Sequence, residues 1–336
     1  MLDKTVMLIG AALFLSAGIS RYWLLGRSTR AAMLVGFAGL VALLAFSFAD
    51  LRSTLHSVIP TADGALLWRY LTTTAHGGAV KARVAFGLAL AALLLVSGGV
   101  GRRGRGPASS DASGAARGTA PSTAPGTSPS TAPGTAPRTA SGVAFVAGSI
   151  GLLSTFSVLS HGAVMGGWWP LVSDLVHFLA AGTWAGGVVA LVLAPVWAPQ
   201  DRDALLSSVT KLSTMGLAAV IVLTVTGTLN GLLHVGDPAS FLASGYASAL
   251  VVKVALVVVT VVLAALNRFS FLPRFRAGGS AGSLRSSLRI EAVLLVAVLV
   301  ATGWLTTTAV PHDMTARRAG VNVIENAQRL IDHLRR

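Results

Sequence analysis

Residues 247–266 read ASALVVKVALVVVTVVLAAL, a run with a single charge at Lys253. As helix, such a run spans the roughly 30 Å hydrocarbon core of a bilayer. A strand reading fails, because the apolar residues are continuous rather than alternating and Ala, Leu and Val dominate. Similar blocks recur near 5–25, 31–50, 80–100, 143–161, 171–195, 213–234 and 290–310. Composition agrees: 53% of the 336 residues are hydrophobic and 11% are charged. A soluble domain carries about 25% charged residues to keep its surface wet. Mean hydropathy is +0.72. The expected fold is therefore all-α, a polytopic membrane helix bundle of about eight transmembrane helices set in the lipid bilayer.

Four regions are expected. Residues 1–100 form an N-terminal membrane region of three spans. Residues 101–142 open with Arg102, Arg103 and Arg105 and continue as Ser/Thr/Ala/Pro/Gly repeats. With nothing to bury, that stretch reads as a disordered cytoplasmic linker. Residues 143–312 form a second membrane domain of five spans. Residues 313–336 carry Val323, Ile324, Ala327, Leu330, Ile331 and Leu334 at helical spacing, which reads as an amphipathic tail.

The formal net charge of +14 does not point to nucleic acid. Its charges sit between apolar blocks and concentrate in the loops joining spans 1–2, 3–4, 5–6 and 7–8, which makes those loops cytoplasmic. Both termini are then extracytoplasmic. The first block lacks a small-residue cleavage site and is read as a retained helix. There is no cysteine, which excludes disulfides and thiolate metal sites and leaves soft-metal chemistry to His and Met. Phosphate-loop, dinucleotide-fingerprint and zinc-protease signatures are missing, and no enzymatic role is expected.

The seven histidines share one side in this topology. His56 and His76 fall in loop 2–3, His161 ends span 4, and His177 lies in the first turns of span 5. His234 ends span 6, His312 ends span 8, and His333 is in the tail. The densest group is Ser160-His161-Gly162-Ala163-Val164-Met165, followed by Asp174 and His177. Neutral imidazole with a thioether suits copper, so His161 and His177 are the primary candidate ligands. His234, His312, His56 and Met165 are further candidates. The competing account has His177 hydrogen-bonding a neighbouring helix. Trp184-Ala185-Gly186-Gly187 reads as close packing between helices. Lys253 takes Asp174 as counter-ion or snorkels to the interface. Glu291 reads as structural. Haem held between paired histidines is the alternative cofactor, and a histidine-based pH sensor is a third reading.

The chain also carries a weak duplication. A fixed offset lays Thr74-Ala75-His76-Gly77 over Ser244-Gly245-Tyr246-Ala247 and pairs Arg83 with Lys253. That offset pairs Met7 with His177 and Phe14 with Trp184. Allowing for different loop lengths, His56 at the end of span 2 matches His234 at the end of span 6, and His161 matches His312 at the ends of spans 4 and 8. Two parallel four-helix repeats would put equivalent residues on one face of the membrane.

Asp174-Leu175-Val176-His177-Phe178-Leu179-Ala180-Ala181-Gly182-Thr183-Trp184-Ala185-Gly186-Gly187, with Ser160-His161, Tyr246, Lys253, Asn267-Arg268, Glu291 and Pro311, resembles the copper resistance protein D family of bacterial membrane proteins. The first half is similar through Thr72-Thr73-Thr74-Ala75-His76-Gly77 and Arg83. The chain departs from the family pattern in reading His161-Gly162-Ala163 at the end of span 4 and in placing His76 where an aromatic residue is common. The resemblance implies an eight-span bacterial inner-membrane protein of copper uptake or tolerance, with copper as its substrate. It also implies a separate extracytoplasmic copper-binding partner protein.

Overall fold

The computed structural model describes residues 1–26, 29–100, 135–160, 168–232, 241–242 and 244–308, apart from the side chains of 98–100, 135–138 and 199. Helix α1 spans Leu2–Ile19 and runs on through a π-helical turn, Ser20–Leu24. Then come α2 (Arg30–Val58), a short α3 (Gly64–Thr73), α4 (Ala75–Val100) and α5 (Thr135–Ser157). The second half holds α6 (Trp168–Val192), α7 (Arg202–Leu232) and α8 (Gly245–Leu266). A second π turn, Asn267–Phe271, leads into a short α9 (Leu272–Arg276), and α10 (Gly282–Leu305) closes the described chain. Among the described residues there is no strand, and eight segments are long and apolar enough to cross a membrane. The expected eight-span bundle is the one observed. Its outer surface is apolar as lipid contact requires: Leu88, Val96, Ile221, Val251 and Val293 are all exposed.

Helix ends depart from the hydropathy reading. α2 continues past residue 50 to Val58 because Leu51 and Leu55, four apart, stay fully buried against α3. His56 therefore sits on the last turn of α2 and His76 on the first turn of α4, rather than in a loop. α7 begins at Arg202, well before its apolar block, and α5 begins at Thr135, inside the stretch read as linker. Residues 101–134 and the tail 309–336 lie outside the described residues.

Two capped helix starts reproduce the offset of the duplication. The Thr74 hydroxyl accepts the Gly77 N–H at 3.1 Å, and the Ser244 hydroxyl accepts the Ala247 N–H at 3.1 Å. An edge-on ring contact accompanies each cap, Tyr70 with His76 and Phe241 with Tyr246, both at 6.0 Å between centroids. Neighbour relations repeat as well. α1 packs on α2 as α6 packs on α7, and α4 on α5 as α8 on α10. Likewise α1 meets α10 as α6 meets α5, and α1 meets α6 across the centre. These are the relations that two parallel four-span repeats require.

α1 is the central helix. Phe14 (0% exposed), its offset partner Trp184 (4%) and Met7 (3%) are all buried. It reaches its neighbours through small residues, as helices in lipid do when packing rather than water expulsion holds them. A Cβ on Gly10 would stand 2.6 Å from the Gly39 carbonyl oxygen, and one on Gly39 would stand 2.7 Å from that of Gly10. On the other flank a Cβ on Gly186 would stand 3.2 Å from the Ala12 oxygen, in line with the packing role read from its sequence.

Candidate functional site

α6 and α7 form the core of the candidate site. His177 lies on α6, and its Nδ1 is 2.9 Å from the Thr226 hydroxyl oxygen on α7. The Thr226 hydrogen is already given to the Val222 carbonyl at 2.7 Å. Nδ1 is therefore the protonated nitrogen and the donor, and Nε2 carries the lone pair, with no partner among the described residues. His177 therefore bonds a neighbouring helix, as the competing account of the sequence has it. Gly227 lies against the ring, where a Cβ would be in ordinary contact at 3.5 Å from His177 Cε1.

Polar groups continue around the histidine. Ser173 donates to Asn230 Oδ1 at 2.7 Å, and Asn230 Nδ2 donates to Asp174 Oδ1 at 3.2 Å. Lys253 of α8 acts electrostatically on both Asp174 and His177, and Asp174 acts on Tyr246. Asp174 thus lies within electrostatic reach of Lys253, in line with the counter-ion role read from the sequence.

Of the other proposed ligands, His161, Met165, His234 and His312 lie outside the described residues. His161 follows Ser160, where description of the α5 end stops, and His234 comes shortly after Leu232, the last residue of α7. His56 belongs to a different surface, where Arg52 Nε donates to its Nε2 at 3.5 Å and its Nδ1 lies 3.4 Å from the Pro60 carbonyl. Both its nitrogens are engaged locally. Among the described residues, no group of three or more His, Cys, Asp or Glu is placed to hold a metal.

The first half carries a polar cluster of its own. Asp50 of α2 lies 3.4 Å from His76 Nε2, and the Tyr70 hydroxyl lies 3.4 Å from His76 Nδ1. Burial, together with the Asp50 charge, pushes the Tyr70 phenol above its usual value, so it remains a hydrogen donor. Arg83, 1% exposed, donates to the Thr155 hydroxyl (2.8 Å), the Thr155 carbonyl (3.1 Å) and the Ser47 hydroxyl (3.2 Å). Its guanidinium also lies 4.2 Å from the Phe156 ring centre. Arg83 and Lys253 occupy matching places in α4 and α8, and each acts on an acid: Asp50 in one half, Asp174 in the other.

About two turns along α6 from His177, on the same face, stands Trp184. Its Nε1 donates to Glu291 Oε1 at 2.9 Å, and Asn267 Nδ2 donates to Glu291 Oε2 at 2.7 Å. Packing alone does not account for Trp184, which holds one oxygen of a carboxylate 107 positions away.

Residues 207–305 match the family described as Copper resistance protein D. Two curated proteins are also similar. Copper transport protein CutJ of Bacillus subtilis (strain 168) is 31% identical over 134 residues, which is 39% of this chain and 25% of that protein. Copper resistance protein D of Pseudomonas syringae pv. tomato is 31% identical over 170 residues, 46% of this chain and 55% of the relative. The chain thus spans between a quarter and about half the length of the curated relatives it matches. No solved structure matches it. The family match runs through α7, α8 and α10 and takes in Thr226, Asn230, Lys253, Asn267 and Glu291. The resemblance drawn from the sequence is borne out.

Proposed function

We propose that this chain, a relative of the copper resistance protein D family through residues 207–305, carries copper across the cytoplasmic membrane toward the cytoplasm. The observation that carries the reading is the pair of contacts at Thr226, which accepts from His177 Nδ1 at 2.9 Å while donating to the Val222 carbonyl at 2.7 Å. An imidazole held by its Nδ1–H on Thr226 presents a lone pair on Nε2, the arrangement that metal-binding histidines adopt. His161 and Met165, in the segment between α5 and α6, His234, shortly after α7, and His312, beyond α10 in the sequence, complete the proposed site. His56 is a further candidate ligand on a separate surface, where Arg52 Nε and the Pro60 carbonyl lie 3.5 and 3.4 Å from its two nitrogens. In this reading the His177 end faces outward, both termini are extracytoplasmic, and a separate copper-binding protein delivers the ion there. The names of the two curated relatives, one for copper transport and one for copper resistance, support copper as the cargo.

Cells expressing His161→Ala or His177→Ala are expected to lose copper accumulation above background. Metal analysis of the purified double variant should show copper loss at equal protein yield. Unchanged accumulation and unchanged copper sensitivity in both single variants would sink the assignment.

Thr226→Val tests the tautomer itself. Valine preserves shape but accepts nothing, so Nδ1–H loses its anchor, and copper affinity should fall about 10–100-fold with the fold intact. Isothermal titration of the purified protein measures this. A Thr226→Ser variant, which restores the acceptor, should recover most of the affinity.

A further inference from the structure

α6, α7, α8 with the π turn that follows it, and α10 line a partly open cavity of about 110 Å³ around Trp184, Ser213, Asn267, Arg268 and Glu291, with otherwise apolar walls. Glu291 is 4% exposed, and among the described residues its hydrogen-bond partners are the neutral donors of Trp184 and Asn267. Among the described residues no cation lies within ion-pair distance of it. A buried carboxylate with neutral partners only is costly unless a proton or a cation neutralises it. Asn267 is 8% exposed and lines the same cavity, yet its Oδ1 has no hydrogen-bond partner among the described residues. Buried acceptors of this kind are nearly always satisfied, so an unfilled one beside an uncompensated carboxylate marks a missing donor or cation. The volume admits a small ion with a few waters.

We propose that this cavity is a second binding site, for a small hard monovalent cation, a proton or sodium, held by Glu291 and Asn267 Oδ1. The donor set is all oxygen, which suits hard cations and is poor for cuprous copper. Arg268 is the other charged residue lining the cavity. Its NH1 is committed to the Ser213 hydroxyl at 2.8 Å, and it repels a second positive charge, which limits the site to one monovalent ion. α6 and α7 contribute no charged residue to the lining. His177 and Trp184 share a face of α6, and Gly227 and Gly216 of α7 lie against them in turn. One pair of helices therefore bears both sites. On the transport reading above, an ion bound at Glu291 is the coupling ion that drives copper movement.

The test is infrared difference spectroscopy of the full chain in lipid nanodiscs. Sodium is stepped at fixed pH with choline as balance, and pH is then stepped without sodium. Subtracting E291Q isolates the Glu291 carboxyl. A saturable sodium response lost in E291Q identifies sodium. A carboxylic C=O band that titrates with pH and ignores sodium identifies the proton. Asn267→Ser is expected to weaken the apparent cation affinity about tenfold while Glu291 still responds. Wild type and E291Q behaving alike in both titrations would overturn the site. Copper is not in the experiment, so a failure of copper transport and a failure of this site are separately visible.

Discussion

Leucine in place of Gly39 is expected to leave no folded protein in the membrane. The first atom of that side chain would stand 2.7 Å from the Gly10 carbonyl oxygen and 3.0 Å from the Phe14 nitrogen. Both neighbours are backbone of α1, so no rotamer change relieves the contact, and α2 must move away from α1 along its length. Overpacking a well-filled core costs about 1–3 kcal/mol when side chains can yield. Here they cannot, and in lipid no water expulsion restores the association once the close approach is lost. α1 also meets α6 and α10, so its displacement reaches both halves. Gly10→Leu should fail in the same way, because the contact is reciprocal. Gly245→Ala is the control, since a Cβ there meets nothing within 4 Å. Size-exclusion chromatography in mild detergent reads the result, and a monodisperse Gly39→Leu peak at wild-type yield would refute the prediction.

Arg83→Met is expected to lower thermal stability by about 3–5 kcal/mol, the usual consequence of removing one partner from a buried charge arrangement. The guanidinium makes three hydrogen bonds to Ser47 and Thr155 and lies against Phe156, while its charge acts on Asp50. Methionine fills the space and abandons every one of these roles. Arg83→Lys should fall between, because one ammonium cannot span the Thr155 hydroxyl, the Thr155 carbonyl and Ser47 as the planar fork does. The informative variant is Arg83→Met with Asp50→Asn. If the cost lies in the uncompensated acid, the double variant recovers stability relative to Arg83→Met alone. Thermal unfolding followed by circular dichroism separates the cases. Equal melting of wild type and Arg83→Met would show that the cluster contributes nothing to folding.

The spans were legible because a bilayer sets a length, and a twenty-residue apolar run such as 247–266 has few other uses. Their ends were less so. Nothing in composition says that α2 continues to Val58, since its last turns are held by Leu51 and Leu55 packing on α3 rather than by apolar length. The duplication could be read from the matched Thr74 and Ser244 starts, because caps are local chemistry. His177 was legible as an ionisable group inside an apolar run, and Asp50 carries the same signal. Their partners were not. Thr226 reads as neutral filler until the register of α6 against α7 is known. The Trp184–Glu291–Asn267 group joins three separate spans, and no spacing rule connects them. Tertiary register, absent from a single sequence, decides which polar residues meet.

The contact between α1 and α6 has a further consequence. These two helices sit on the axis relating the halves, and they close on it: Leu15 against Gly182, Ile19 and Ala12 against Gly186. Close contact along that seam ties the two halves into one packed unit, so a change that shifts α1 or α6 is felt in both.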